Sequence, residues 1–396
     1  MRLTISRVLS CMVFCLLVVG CSTTTVKTTE HTPVIQDSTQ IPEHQLLDVG
    51  VGIFHPGVDE ISAKQVGVFP EIRKAEARYV PYKLTETLQM TGNWGVVRVI
   101  PDQQSEMDLW VDGEILKSDG ETLELKVSVK DASGKVWFTR NYQEVVSKYA
   151  YDRRGSRQEP FQGIYNRIAN DMLVFRKHLK PEDVKTIRTI TELKFARRFA
   201  PEVFDEYLQV DGRGRYTIKR LPAENDPTLL RVRRIRERDY MFVDTLQDYY
   251  GSFVRQMEQP YRAWRSESYH ETISLREIKQ QSMNRIVGGA LAVLVGILAQ
   301  GSDSAVARTA GAVGIGAGAT AVMSGINKGK EAEIHAEALE ELGSSLDAEI
   351  YPHTISLENR TVTLSGTVDD QYTQWRQILR DMYLTETGQQ AAPIPH

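Results

Sequence analysis

An α+β fold is predicted by three observations in the 396-residue sequence. Residues 46–179 open with one alternating apolar run, pass through a helical pattern and continue as a series of alternating runs joined by glycine turns. A charged, helically periodic region then fills 180–285, and a hairpin-then-helix pattern ends near residue 388. Strands gathered in one region and helices in another favour an α+β layer over alternating βα units.

The elements follow in order. "LLDVGVGIF" places Leu47, Val49, Val51 and Ile53 on one face, as a half-buried strand would. A helix is expected over Glu71–Met90, bent at Pro81, and "TGNW" stops it before a strand over Trp94–Ile100. "DLWVDGEIL" turns at Asp119-Gly120 into "ETLELKVSVKD", where Leu123, Leu125, Val127 and Val129 alternate with Glu124, Lys126, Ser128 and Lys130. A second turn over Asp131–Gly134 leads into "KVWFTRNYQ"; glycine supplies the positive φ that both turns need. Phe161, Ile164, Ile168, Met172 and Phe175 mark a final helix over Pro160–Leu179. The layer is therefore β-α-β-β-β-β-α, and its alternation is expected to let it fold alone.

"YVPYKLTETLQMTGNWGVVRVIP" followed by this meander resembles the periplasmic domain shared by curli-export lipoproteins, the N-terminal domain of the Tol propeller protein and transport-auxiliary lipoproteins. The resemblance implies an assembly and docking module, with no catalytic residues to carry over.

In 180–285, Pro181 opens a helix, Pro201 closes it, and Gly212 and Gly214 flank a turn into a short strand "RYTIKRL". A long helix starts near Asp226, with Phe242, Leu246, Tyr249, Phe253, Met257, Tyr261 and Trp264 as a buried stripe and Pro260 as a kink. "RVRRIRER" carries Arg231, Arg233, Arg234, Arg236 and Arg238 against one Glu. It reads as a solvated helix face, or as a contact for lipid phosphates or another anionic envelope partner.

Residues 286–326 are apolar and laced with glycine. Ile286–Ala299 is fourteen uncharged residues, short of the roughly 20 a spanning helix needs. Thr309–Ile326 is eighteen uncharged residues, ten of them Gly or Ala, and so weakly hydrophobic. Gly314 and Gly318 form a GxxxG pair, Gly311 and Gly325 stand seven before and seven after Gly318, and Gly289 and Gly296 repeat that step on the first arm. Such spacing lets helix backbones nearly touch. With Gln300–Ser304 as the turn, the segment resembles the glycine-zipper hairpins of outer-membrane lipoproteins and pore-forming proteins, which implies oligomerisation or insertion. A buried helical hairpin in a soluble core is the alternative. Residues 327–388 read as α-β-β-α, with a helix over Lys328–Leu342 ended by Gly343 and a last helix capped by Asp369 or Asp370. "TVTLSGTV", Thr361–Val368, resembles the central strand of a BON domain, a small periplasmic fold linked to envelope association.

At the other end, residues 1–20 hold Arg2 and Arg7 before an apolar run, which reads as a secretory signal. Val18-Val19-Gly20-Cys21 resembles the lipobox of bacterial lipoproteins, implying that Cys21 is acylated, and Ser22 beside it resembles an outer-membrane address. Cys11 and Cys15 leave with the signal, so an internal disulfide or a multi-thiolate metal site is not expected. Losing two arginines and no acid moves the formal charge from −4 to −6, which argues against bulk nucleic-acid binding. Residues 21–45, rich in Thr with Pro33 and Pro42, are expected to be a disordered lipidated tether.

Catalytic patterns are fragmentary. His270-Glu271 begins like a zincin helix but meets Ser274 where the second His would stand. Gly325–Lys330 is one residue short of a phosphate loop and is followed by Glu331, and Gly314-Ile-Gly316 with Ala319 lacks a preceding strand. The expectation is a non-enzymatic outer-membrane lipoprotein facing the periplasm, an assembly or docking scaffold in envelope biogenesis, transport or secretion. Its expected partners are the bilayer, through acylated Cys21, and copies of itself or an envelope complex; no nucleic acid, cofactor or metal is expected. The alternative is an oligomeric export-channel subunit like the curli-secretion lipoproteins.

Overall fold

In the computed structural model, which describes residues 32–37, 41–58, 70–101, 106–151, 158–298, 353–357 and 360–388, an α+β architecture is built around a mixed five-stranded sheet. Strand β1 (Val49–Gly52) is its second strand, running parallel to β2 (Val97–Ile100) on one side and β3 (Leu109–Ser118) on the other. Strands β4 (Thr122–Asp131) and β5 (Val136–Val145) complete the order β2-β1-β3-β4-β5 as an antiparallel meander. All four residues of β1 are buried, so the half-buried strand expected there is corrected to a strand buried on both faces. The alternation survives because Gly50 and Gly52 take the second face, where a Cβ on Gly50 would lie 2.8 Å from Met107 and 2.9 Å from Trp110. The hairpin turns fall where glycine permits them, with φ of +77° at Gly120 and +82° at Gly134.

Helix α1 (Pro70–Thr91) carries Pro81 inside it and ends at Gly92, whose positive φ closes the last turn. Helix α2 (Gln162–Lys177) buries Ile164, Ile168 and Met172, the periodic face expected of it. Helix α3 (Pro181–Phe199), a single turn α4 (Pro201–Phe204) and a small hairpin of β6 (Leu208–Val210) and β7 (Tyr216–Ile218) come next. Helix α5 (Pro227–Leu298) is 72 residues, roughly 110 Å at the α-helical rise. Phe242, Leu246, Phe253, Met257, Tyr261 and Trp264 are buried along it and Tyr249 is half-buried, as the stripe requires. Near the C-terminus, β8 (His353–Leu357) and β9 (Arg360–Leu364) form a hairpin, and α6 (Val368–Glu386) lays Tyr372, Trp375, Leu379 and Tyr383 into the core. The cap of α6 is Thr367, whose side chain accepts from the Asp370 amide at 3.1 Å; Asp370 is the third helical residue and returns the bond. The expected helix over Lys328–Leu342 lies outside the described residues.

Two sets of contacts cross the expected boundaries. One buried cluster runs through the sheet, α3, α5 and α6, joining Val49, Ile187, Leu246 and Leu379, so the core of the meander layer continues into the later helices. The tether is not wholly loose either. Arg188 donates to the carbonyls of Glu43 and Leu46, at 3.0 and 2.9 Å, and Arg176 to that of Gln45, at 3.0 Å. Residues 32–37 are held along α1 and α2 by asparagine side chains. Polar composition signals a stretch that cannot bury itself; it says nothing of the Arg and Asn side chains that wait for its backbone.

Candidate functional site

Cys21, Gly311, Gly314, Gly318 and Gly325 lie outside the described residues. Gly289 and Gly296 sit on the last turns of α5, which carries the first glycine-laced arm as a direct continuation of the charged helix. Among the described residues, no helix is long and apolar enough to cross a membrane.

The arginine run sits near the start of α5 and is divided by its neighbours. Arg231 and Arg238 converge on Glu386 of α6, at 3.5 and 3.7 Å. Arg233 makes a two-pronged bond to Glu192 of α3, at 2.5 and 3.1 Å. Arg236 turns inward and donates to the Tyr240 hydroxyl at 2.5 Å, while Arg234 stays exposed. The run is therefore neither a uniform solvated face nor a set of free anion forks: four of its members hold α5 to α3, α6 or its own next turn.

Arg233 and Arg236 line the main cleft, a recess of about 940 Å³ between α3, α5 and the start of the sheet. Asp48, Asp108, Lys185, Arg188, Glu237 and His44 also line it. Asp108 accepts from the Asp48 amide at 3.0 Å and is buried, and that burial, reinforced by the Asp48 charge, raises its carboxyl above the ordinary range. Burial alone would lower the Arg236 pKa, but Tyr240, Asp108 and Asp48 around it turn the shift upward. Tyr240 is pushed up to about 12, mainly by burial. Among the described residues Arg236 Nε has no hydrogen-bond partner. Charges of both signs line the recess, which suits a polar or zwitterionic surface better than a polyanion.

Two buried charge clusters fasten α5 to the rest, and neither was legible in the sequence. In the first, Arg265 is 2% exposed; it grips Glu159 with both prongs, the second at 3.1 Å, and lies 4.1 Å from the centre of the Tyr261 ring. Tyr79 donates to the same carboxylate at 2.7 Å. Burial would raise Glu159, but the Arg265 charge and these bonds outweigh it and hold the carboxyl below its usual range. Beside it, Glu76 accepts from the hydroxyls of Ser118 and Tyr261, both at 2.6 Å. In the second cluster Arg376 of α6 donates to Asp239 of α5 at 2.7 Å and reaches Glu106 at 3.5 Å, while Arg198 of α3 meets Glu106 at 2.7 Å. Burial raises both acids despite these arginines. A third device covers the sheet edge: the Gln247 side-chain amide of α5 accepts from the Val99 N–H and donates to its C=O, both at 2.8 Å, as a neighbouring strand would. The sequence signal for Arg265 was its place beside Trp264 in the aromatic stripe, a charge where the helix faces inward.

Among the described residues no cluster of three His, Cys, Asp or Glu could hold a metal ion. The aspartates of the cleft adjoin an arginine and a tyrosine. No protein-family model, curated protein or solved structure matches the chain.

Proposed function

We propose that this chain is a non-enzymatic lipoprotein, anchored to the outer membrane through acylated Cys21 and facing the periplasm, where its globular part serves as a docking scaffold in envelope assembly, transport or secretion. The observation that carries this reading is the continuity of α5. One helix is clamped to the head at Asp244, Gln247, Tyr261, Arg265 and Arg276, and then runs without a break into the glycine-laced segment. A scaffold needs such a rigid join between the surface that docks and the segment that assembles. The mixed-charge cleft beside the arginine run is the docking surface this reading favours, since it offers positioned polar groups rather than a reactive set.

The test is fractionation and metabolic labelling of Cys21→Ser against the parent. The parent should take up a clickable fatty acid and sediment with outer membranes, and the variant should do neither. An unlabelled parent, or a variant that sediments unchanged, would overturn the lipoprotein reading.

A further inference from the structure

Residues 32–37, "TPVIQD", run between the end of α1 and α2, and most of the hydrogen bonds that hold them are to their backbone. Asn170 accepts from the Ile35 amide at 2.8 Å and donates to the Pro33 carbonyl at 3.0 Å. Asn93 accepts from the Asp37 amide at 2.9 Å and donates to the Ile35 carbonyl at 3.1 Å. Asn166 donates to the Thr32 carbonyl at 2.7 Å. An amide side chain that both gives and accepts is the group suited to reading an extended backbone, and three of them are spaced along this one. Side-chain contacts are made by Val34, Gln36 and Asp37. Val34 packs on the core, Asp37 lies 3.6 Å from Lys177, and Gln36 donates to the Met90 carbonyl at 3.1 Å. Ile35 is 46% exposed. Pro33 fixes its own φ and disfavours helix at Thr32, so the segment arrives extended.

We propose that this groove is a backbone-reading receptor for the chain's own tether and that the two form a releasable latch setting how far the head stands from its anchor. Asn93 and Asn166 are buried, but no residue of the segment itself is, and Asn170 grips it at the surface, so the latch opens without unfolding the head. The consequence rests on the acylation of Cys21. With the latch closed, eleven residues link Cys21 to Thr32 and span at most roughly 40 Å. With it open, twenty residues link Cys21 to Ile41 and span at most roughly 70 Å. A partner that competes for the groove with an extended segment, or that pulls on the head, would let the head reach further from the membrane without any change in its fold.

Hydrogen–deuterium exchange on the full non-acylated chain reads the latch whether or not Cys21 carries lipid, and fatty-acid labelling reads the anchor separately. In the parent, the Ile35 and Asp37 amides should exchange more slowly than in the free peptide TPVIQD, and much faster than the amides of β3 and β4. Asn170→Ala, on the groove side, and Val34→Asp, on the tether side, should each speed exchange at Ile35 and Asp37 by about tenfold or more while β3 and β4 keep their protection. Val34→Asp lies outside the head and does not threaten its folding. Ile35→Ser should leave the rates within about twofold, because the groove does not read that side chain. Free-peptide rates in the parent would show that the tether is not docked, and core-like protection would show that it is not releasable. Unchanged rates in both Asn170→Ala and Val34→Asp would show that this groove is not what holds it. Each of those results overturns the proposal.

Discussion

The two sets of arginines on α5 make opposite use of the same side chain. Arg231, Arg233, Arg234 and Arg238 crowd one short stretch, lie toward the surface, and where paired meet half-exposed carboxylates. Arg265 stands apart from that stretch, is packed among Tyr79, Phe161 and Tyr261, and holds Glu159 in the interior. Here the dense run lies at a rim, while one inward-facing arginine among several charges on the aromatic stripe forms a clamp. The energetics follow from solvent. A surface pair competes with water and salt, whereas a buried charge that loses its partner has nowhere to go.

The largest effect should come from removing α5 altogether. A fragment of residues 46–179 would keep Glu76, Arg98, Glu121 and Glu159 but lose Tyr261, Asp244, Arg276 and Arg265, and Val99 would lose the Gln247 amide. The fragment should show no cooperative melting transition by circular dichroism. A sharp transition near that of the parent would mean that the layer closes its own core, as its alternation suggests.

Next comes the clamp itself. Glu159→Ala leaves Arg265 charged and unpaired in the interior and should cost about 3–5 kcal/mol in denaturant unfolding. The paired change Glu159→Leu with Arg265→Met removes both charges and should recover most of that loss. If the double variant is no better than the single one, the clamp contributes through its hydrogen bonds to Tyr79 rather than through charge matching.

What could be read in advance divides along the same line. The strands, the glycine turns at Gly120 and Gly134 and the stripe on α5 were legible because period and φ requirements are local properties. The parallel seat of β1 between β2 and β3 was not, because only tertiary pairing decides which strand becomes central. The clamps were illegible for a similar reason: Glu106 meets Arg376 across 270 positions of chain, and neither residue stands in a distinctive local pattern. The cleft shared that fate, since His44, Asp108, Arg188 and Arg236 come from four separate elements. The backbone grip on residues 32–37 was hidden too, as an asparagine looks the same whether it faces water or a neighbouring main chain.

A smaller effect separates a half-satisfied acid from the fully gripped ones. Glu144, at the end of β5, has its carboxyl raised to about 7, mainly by burial, against partial relief from Arg167 and the amides of Ile164 and Gly163 at the start of α2. The folded state therefore binds this proton more tightly than the unfolded chain. The stabilisation is complete below the ordinary glutamate range and is lost as pH rises through about 7. Glu144→Gln should flatten the fall in unfolding free energy between about pH 5 and 8. A slope equal to the parent's would place the proton elsewhere.

The smallest effect on stability belongs to the arginine run, and it is also where the run can be asked whether it has a partner. Glu386 receives both Arg231 and Arg238 and is itself about a third exposed, so Glu386→Gln should shift stability by less than about 1 kcal/mol. The same change removes the acid that occupies two of the five arginines. If the run touches lipid phosphates, the variant should co-sediment with anionic vesicles more than the parent does, with the gain fading as salt is raised past the screening range. The arginines of the buried clusters should not respond in this way, because Arg265 is buried on Glu159 and Arg376 stays held by Asp239 and Glu106 in both proteins. Equal co-sedimentation of parent and variant at low salt would assign the run to joining α5 with α3 and α6, and would leave the cleft beside it as the surface to which a partner docks.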